Sequence, residues 1–201
     1  MNQTVSSAPP VAGIVLAAGA GQRFGSPKQL APFAGRPLLE HALLAASAAQ
    51  LKPLIVVLGF ESERILERVD LHSAEPVICQ RWADGQAASL IAGIEAIGEA
   101  DAAAVTLGDQ PLISPDAIDA VVAARSAAAA VVRASYGGAL GHPVVLERAA
   151  LDRALDLSGD EGARRLFADL EVRTVACDGL GSPVDIDTPE GLVRLESETK
   201  V

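Results

Sequence analysis

Short apolar segments that alternate with helical patterns constrain the fold of this chain more than any other feature. The segments lack polar residues at alternate positions, so both faces of each predicted strand are expected to be buried. A mostly parallel sheet flanked by helices provides that environment, and the sequence therefore predicts an α/β fold with right-handed crossovers. The predicted strands cover residues 11–18, 53–59, 76–79, 102–108, 130–135, 142–147 and 172–177.

Helical patterns fill the intervals between these segments. Ser114 and Thr188 each precede a proline, which puts a capping hydroxyl before a proline at the first helical position. The Gly137-Gly138 pair predicts a tight turn between two strands, so part of the sheet is expected to turn antiparallel late in the chain. The predicted helices cover residues 37–50, 61–69, 86–98, 115–128, 148–156, 160–169 and 189–197.

The size and composition of the chain indicate one domain. Of its 201 residues, 50% are hydrophobic, and a domain of this size buries roughly 70% of the surface of its extended chain. We expect residues 1–10 to form a disordered tail and residues 11–201 to form the single domain. The tail has no signal-peptide pattern, and no apolar run reaches the roughly 20 residues of a membrane span, so we expect a cytoplasmic protein without membrane contact.

The charge and the cysteines exclude several classes of partner and ligand. The net charge is −10, from 16 basic and 26 acidic residues. Nucleic acids and anionic membranes require a concentrated positive surface, so neither is expected as a partner. Cys79 and Cys177 lie far apart, with no second cysteine or histidine at ligand spacing. Neither a disulfide framework nor a structural zinc site is therefore expected.

A glycine-rich loop follows the first predicted strand and contains Gly19, Gly21 and Gly25. It matches a dinucleotide fingerprint weakly, because prolines interrupt the segment in which that fingerprint opens a helix. It fails as a Walker P-loop, since no Gly-Lys-Ser/Thr follows. Arg23 and Lys28 add positive charge to a loop whose backbone N–H groups can approach phosphate oxygens. This combination favours a triphosphate over a dinucleotide.

Carboxylates follow a second buried strand and precede the last predicted helix. Asp109 directly follows the strand 102–108, at the edge where α/β proteins bind ligands. A carboxylate beside a phosphate loop would repel the ligand unless a divalent cation lay between them, which predicts Mg²⁺. In an extended segment, Asp185 and Asp187 would point the same way and could supply a second oxygen to that cation. The alternative is that they only favour the N-terminus of the following helix.

Six segments occur together in a recognisable order. They are "LAAGAGQRFGSPKQL", "WADGQAASLIAGI", "LGDQPLIS", "GGALGHPVVL", "SGDEGARRLF" and "DIDTPEGL". From about residue 12 to residue 195 the chain resembles the MobA-like NTP transferase family. Its L-A-A-G opening is similar to the branch of molybdenum cofactor cytidylyltransferases, whereas guanylyltransferases usually have L-A-G-G. The resemblance implies a Rossmann-like nucleotidyltransferase fold and Mg²⁺-dependent transfer of CMP from CTP to molybdopterin.

The resemblance also implies roles for individual residues. Arg23, Lys28 and Asp109 would be catalytic, the first two by holding the phosphates. Asp109 would bind the metal together with Asp185 or Asp187, of which Asp185 is preferred because it lies nearer the strand end. The residues implied to bind the nucleotide are Ala17, Ala18, Gly19, Gly21, Arg23, Lys28, Gly85 and Ser89.

Two further residues are implied to contact the second substrate. His142 lies in the Gly-His-Pro segment and Asp160 in the Gly-Asp-Glu-Gly segment. Each also has a structural explanation, since a lone histidine at a strand start often serves packing and Asp160 is suited to cap a helix. Both interpretations of these two residues stay open.

Relatives of this family differ in what they act on. A GTP-using guanylyltransferase is one alternative, and an NAD(P)H-dependent enzyme of the nicotine blue oxidoreductase type is another. A non-catalytic molybdopterin carrier is a third. Lys28 and the carboxylates Asp109, Asp185 and Asp187 favour transfer chemistry, because hydride transfer gives no reason for a metal site. A molybdenum hydroxylase, or its maturation factor, would then be the partner that receives the product.

Overall fold

The computed structural model of the protein describes residues 10–159 and 168–199. The predicted disordered tail, apart from Pro10, lies outside the described residues, as does most of the predicted helix 160–169. Within the described ranges, no helix combines the length and the apolar character that a bilayer crossing requires.

Strands and helices alternate along the described chain. The strands are β1 Ala12–Ala17, β2 Pro32–Phe33, β3 Arg36–Pro37, β4 Leu54–Leu58, β5 Glu75–Ile78, β6 Ala102–Leu107, β7 Val131–Tyr136, β8 Ala139–Glu147 and β9 Val172–Ala176. The α-helices are α1 Leu38–Ala48, α2 Ser62–Leu66, α3 Gln86–Ile97, α4 Pro115–Ala123, α5 Arg148–Ala154 and α6 Pro189–Thr199. Short 3₁₀ helices cover Lys28–Leu30 and Trp82–Asp84.

Seven of the strands form one mostly parallel sheet in the order β5-β4-β1-β6-β8-β7-β9. β1 lies between β4 and β6 and is parallel to both, whereas β8 is antiparallel to β6 and β7. The α/β prediction is confirmed. The predicted late antiparallel turn is confirmed too, because Gly137 and Gly138 join β7 to β8 with φ angles of 57° and 83°.

Successive residues of β1 pack into opposite layers of the core. Ile14 and Val15 are both fully buried, Ile14 in the layer of α3 and α5 and Val15 in the layer of α1 and α4. A strand covered by helices on both faces has no solvent side on which polar residues would alternate. This arrangement explains why the strand segments of the sequence are continuously apolar.

Hydroxyl caps begin two of the helices. Ser114 Oγ accepts a hydrogen bond from the backbone N–H of Ala117 at 3.1 Å, at the start of α4. Thr188 Oγ1 accepts one from the backbone N–H of Gly191, also at 3.1 Å, at the start of α6. Each hydroxyl satisfies one of the helix's unpaired N–H groups. Both predicted helix starts are therefore confirmed.

The contact between α3 and the sheet depends on a glycine. A Cβ at Gly93 would lie 2.6 Å from Ile14 Cγ2 and 3.1 Å from Val57 Cγ2. Both neighbours are fully buried core side chains, so Gly93→Ala is expected to lower the free energy of unfolding by about 1–3 kcal/mol. Urea denaturation followed by circular dichroism measures this change.

The matched control is Gly191→Ala in α6. A Cβ there would have only Thr188 Oγ1 within 4 Å, at 3.5 Å. Replacing an uncrowded helical glycine by alanine is expected to leave stability unchanged or to raise it by up to about 1 kcal/mol. Equal effects of the two substitutions would contradict the argument that steric contact at Gly93 governs the packing of α3.

Candidate active site

The predicted site residues converge because β1 and β6 are parallel neighbours whose carboxyl ends lie together. The backbone N–H of Gly108, just after β6, donates to the carbonyl of Leu16 in β1 at 2.9 Å. The glycine-rich loop after β1 and Asp109 after β6 therefore lie at the same edge of the sheet, as predicted.

Hydrogen bonds hold the glycine-rich loop in one conformation. Gly21 has a φ of 60°, and its carbonyl accepts hydrogen bonds from the backbone N–H groups of Phe24 and Gly25 at 2.7 and 3.2 Å. A residue with a side chain adopts this φ at a cost, which explains the glycine. The buried Gln29 side chain donates through Nε2 to the carbonyls of Ala17 and Gly19 at 2.7 and 2.9 Å. The loop is thus tied both to itself and to the sheet.

A cavity of about 710 Å³ lies against this loop, and we call it the loop cavity. Its lining includes every residue that the sequence predicts to bind the nucleotide: Ala17, Ala18, Gly19, Gly21, Arg23, Lys28, Gly85 and Ser89. Asp109 and Asp187 also line it. Four segments that are distant in the sequence therefore meet around one space.

Charged side chains at the loop cavity form a continuous network. Lys28 Nζ lies 2.5 Å from Asp109 Oδ2 and 3.0 Å from Asp187 Oδ1. The Arg23 guanidinium, on an exposed side chain, lies 2.7 Å from Asp187 Oδ2. The two cationic side chains are therefore paired with the two carboxylates at the wall of the loop cavity. Cationic side chains of this kind form strong hydrogen bonds with phosphate groups.

The network shifts the pKa values of its members. Burial by itself lowers the pKa of Lys28, but the two carboxylates outweigh burial and the pKa ends above its ordinary value. The hydrogen bond from Lys28 is the main reason that the pKa of Asp187 lies below its ordinary value, and burial opposes that effect. Both groups are therefore charged at neutral pH.

The carboxylates at the loop cavity suit a divalent cation that shares its ligands with phosphate. Asp109 Oδ1 is buried and has no hydrogen-bond partner among the described residues, while Oδ2 contacts Lys28. Within residues 10–159 and 168–199, no three acidic, histidine or cysteine side chains lie close enough to enclose a metal ion. A cation held here could complete its ligand set with oxygens of a bound phosphate group, which is how Mg²⁺ is commonly held.

The two aspartates of the last motif have different partners. Asp187 contacts Lys28 in the loop cavity, whereas Asp185 Oδ1 accepts a hydrogen bond from Gln110 Nε2 at 2.6 Å. Ile186 between them is fully buried, and its backbone N–H donates to the carbonyl of Asp109 at 3.0 Å. Asp185 lines a neighbouring cavity and not the loop cavity. The preference for Asp185 over Asp187 at the metal therefore lacks support from this geometry.

The neighbouring cavity has a volume of about 510 Å³, and we call it the leucine cavity. It adjoins the loop cavity, because Leu16, Gln86 and Leu107 line both. Its remaining leucines are Leu90, Leu140, Leu146 and Leu157, and its other polar side chains are Gln110, Arg133, His142 and Asp185.

The two predicted second-substrate residues have different outcomes. His142 lines the leucine cavity, where burial, with a contribution from the Arg133 charge, lowers its pKa to about 4. Its imidazole is therefore neutral at physiological pH. The Tyr136 hydroxyl donates a hydrogen bond to the backbone carbonyl of His142 at 3.0 Å. Asp160 lies outside the described residues.

Burial raises the pKa of Asp185 above its ordinary value, and the negative charge of Asp109 adds to that effect. The hydrogen bond from Gln110 opposes it. The pKa values of Asp185 and Asp187 are thus shifted in opposite directions, because only Asp187 is paired with a cation.

The family assignment follows from a match along most of the chain. The sequence profile of the MobA-like NTP transferase domain matches residues 13–175. The chain belongs to the MobA-like NTP transferase family. Five of the six ordered segments lie within the matched residues, and the predicted resemblance to this family is confirmed.

Full-length relatives of this MobA-like chain carry different names. Nicotine blue oxidoreductase from Paenarthrobacter nicotinovorans is 31% identical over 198 residues, which cover 93% of this chain and 97% of that protein. Purine catabolism protein PucB from Bacillus subtilis is 32% identical over 196 residues, which cover 90% of this chain and 94% of that protein. The family match indicates nucleotidyltransferase chemistry, and the names of these two relatives do not agree on a substrate.

A solved structural neighbour of this chain contains manganese. The crystal structure of Rv0371c from Mycobacterium tuberculosis H37Rv, in complex with manganese, superposes with a TM-score of 0.81 at 28% identity. The match covers 94% of this chain and 98% of that chain. A divalent cation is thus compatible with a fold of this kind.

Two buried glutamines were missed by the sequence reasoning. Gln29 supports the glycine-rich loop, and Gln110 holds Asp185. Both are only 3% exposed, and each directly follows a charged residue of the site, Lys28 or Asp109. The sequence signal for these two glutamines was their position directly after a charged residue of a motif. A glutamine that is buried there must form hydrogen bonds with its neighbours.

Proposed function

We propose that this protein transfers CMP from CTP to the terminal phosphate of molybdopterin and releases pyrophosphate, in the cytoplasm and with Mg²⁺. The meeting of the glycine-rich loop, Lys28, Asp109 and Asp187 around one cavity supports this proposal most directly. A second cavity that shares lining residues with the first provides room for an acceptor. A molybdenum hydroxylase, or its maturation factor, would receive the product.

The nucleotide would occupy the loop cavity. Backbone N–H groups of the glycine-rich loop would approach the phosphates, and Arg23 and Lys28 would offset their negative charge. Lys28 is suited to this role because its ammonium group is already charged and is held at the cavity wall by two carboxylates. Alignment and charge neutralisation account for most of the catalysis that such a transfer requires.

Asp109 and Asp187 would hold the Mg²⁺ ion together with phosphate oxygens of the nucleotide. When bound, Mg²⁺ neutralises charge on the phosphates and on the departing pyrophosphate. Asp109 contributes an oxygen without a hydrogen-bond partner among the described residues, and Asp187 faces the same cavity. Lys28 would exchange its carboxylate contacts for phosphate contacts as the nucleotide binds.

The acceptor would lie in the leucine cavity with its phosphate toward the loop cavity. Its phosphate oxygen would form a bond to the α-phosphorus of CTP, and the bond from that phosphorus to the bridging oxygen of the β-phosphate would break. The attacking phosphate is already ionised at neutral pH, so no general base is required. His142 in the leucine cavity is neutral, and this mechanism assigns it no proton transfer.

The decisive experiment measures pyrophosphate release from CTP by the purified protein with Mg²⁺ and molybdopterin. We expect release that depends on all three components, and a rate with GTP that is lower by at least about tenfold. Equal rates with GTP would reject the cytidine assignment. No release with any nucleoside triphosphate would reject nucleotidyl transfer.

The 31% identity to nicotine blue oxidoreductase supports a second candidate, NAD(P)H-dependent reduction. It predicts NAD(P)H oxidation in the presence of nicotine blue that persists without Mg²⁺ and in Asp109→Ala. If the protein is a nucleotidyltransferase, removal of Mg²⁺ and the Asp109→Ala substitution should each abolish pyrophosphate release from CTP. Tight molybdopterin binding with neither activity would indicate a carrier.

A further inference from the structure

The leucine cavity has an apolar wall formed by the sheet. Leu16 from β1, Leu107 from β6 and Val144 from β8 line it, with Val105 and Leu146 beside them. These strands are neighbours in the sheet, and residues two apart on a strand share one face. Such a wall accommodates the face of a planar ring, whose polar atoms must then be satisfied at its edges.

Asp185 provides a carboxylate in this cavity, and a buried amide holds it. Gln110 Nε2 donates to Asp185 Oδ1 at 2.6 Å and to the carbonyl of Pro183 at 3.0 Å, so both of its hydrogens are used. Gln110 is itself only 3% exposed. Within the described residues, no cation forms an ion pair with Asp185. The carboxylate therefore keeps acceptor capacity for a ligand in the cavity.

We propose that Asp185 recognises the ring of the acceptor by accepting hydrogen bonds from two adjacent N–H groups at its edge. A carboxylate matches a ring N–H next to an exocyclic amino group, which is the donor pair of a 2-amino-4-oxo pyrimidine ring such as that of a pterin. The inference rests on the proposed function, because it assigns the leucine cavity to the acceptor. It makes Asp185 a specificity-determining residue and leaves the metal to Asp109 and Asp187.

The partners of the two aspartates separate these roles. Asp187 is bonded to Lys28 and Arg23, the cations of the loop cavity. Asp185 is bonded to a neutral amide and lies in the other cavity. A carboxylate that bound the metal ion of a metal–nucleotide complex would be expected beside Lys28 and Arg23, which face the phosphates. Asp185 contacts neither of these side chains.

The test compares two fluorescent ligands, pterin and lumazine, by titration against the whole protein. Lumazine carries a carbonyl where pterin carries its amino group, so it offers a carboxylate one donor and one repelling oxygen. We expect the unchanged protein to bind pterin at least about tenfold more tightly than lumazine. Asp185→Asn presents one acceptor and one donor and is expected to reverse that preference. Asp185→Ser is expected to weaken it without reversal.

Asp187→Asn is the matched control, in the same segment but facing the other cavity. It is expected to keep the pterin preference and to weaken binding of Mn²⁺ with CTP by at least about tenfold, followed by the electron paramagnetic resonance signal of free Mn²⁺. Asp185→Asn is expected to leave that Mn²⁺ binding within about twofold. Thermal denaturation of each variant checks that it is folded.

The outcomes distinguish this inference from the proposed function. If Asp185→Asn keeps the pterin preference, or loses Mn²⁺ binding as Asp187→Asn does, the inference is wrong. It is also wrong if the unchanged protein binds neither pterin nor lumazine. Pterin binding with the expected reversal, but without pyrophosphate release from CTP, would keep the inference and reject the proposed transfer.

Discussion

Asp109→Asn is expected to reduce pyrophosphate release from CTP by about 10³-fold or more. The substitution keeps the size of the side chain but removes the charge that would hold Mg²⁺ between the protein and the phosphates. It also removes one of the two carboxylates that contact Lys28. Initial rates at saturating CTP and molybdopterin measure the effect, and thermal denaturation checks that the variant is folded.

Asp116→Asn is the control for this prediction. Asp116 lies seven residues further along the chain, in the first turn of α4, and is exposed and outside both cavities. Its loss is expected to change the rate by less than about twofold, since only an interaction with the end of a helix is weakened. A rate for Asp109→Asn within tenfold of the unchanged protein would show that this carboxylate does not hold the metal.

Lys28→Met is expected to have two effects of opposite sign. CTP binding in the presence of Mg²⁺ is expected to weaken by roughly tenfold to a hundredfold, because a charged hydrogen-bond donor to phosphate is lost. Binding of Mn²⁺ without nucleotide is expected to tighten by about tenfold. In the free protein the Lys28 ammonium contacts Asp109 and Asp187, and its removal frees Asp109 Oδ2 and leaves Asp187 with Arg23. Calorimetry and the signal of free Mn²⁺ measure the two effects.

Lys52→Met serves as the control, because Lys52 is exposed and precedes β4, at the opposite edge of the sheet from the cavities. Neither binding constant is expected to change by more than about twofold in this variant. If Mn²⁺ binding is unchanged in Lys28→Met, the lysine does not compete with the metal. If CTP binding is unchanged, the assignment of Lys28 to the phosphates is wrong.

The main sheet could be predicted from the sequence because its signals are local. Continuous apolar segments marked the strands buried on both faces, and Gly137-Gly138 marked the turn into β8. The small hairpin of β2 and β3 was missed, since each strand has only two residues and shows no periodicity. Its turn residues, Ala34 and Gly35, have positive φ angles of 45° and 85°.

The loop cavity could be predicted because its residues lie at strand ends. In a parallel sheet, the loops after neighbouring strands open at one edge, so Gly19 and Asp109 had to meet once β1 and β6 were neighbours. The supporting amides were harder to recognise. Gln29 and Gln110 act through hydrogen bonds to carbonyls and a carboxylate that only the folded chain brings near them.

Residue order alone was sufficient for the α/β class, the strands of the main sheet and the charged groups of the candidate site, because burial pattern and turn chemistry act over a few neighbouring residues. The division of labour between Asp185 and Asp187 depended on packing. Two residues apart, they are equivalent by local geometry, and their partners come from distant segments: Gln110 lies 75 positions from Asp185, and Lys28 lies 159 positions from Asp187. Long-range folding selects these contacts, so no local pattern could reveal which carboxylate faces which cavity.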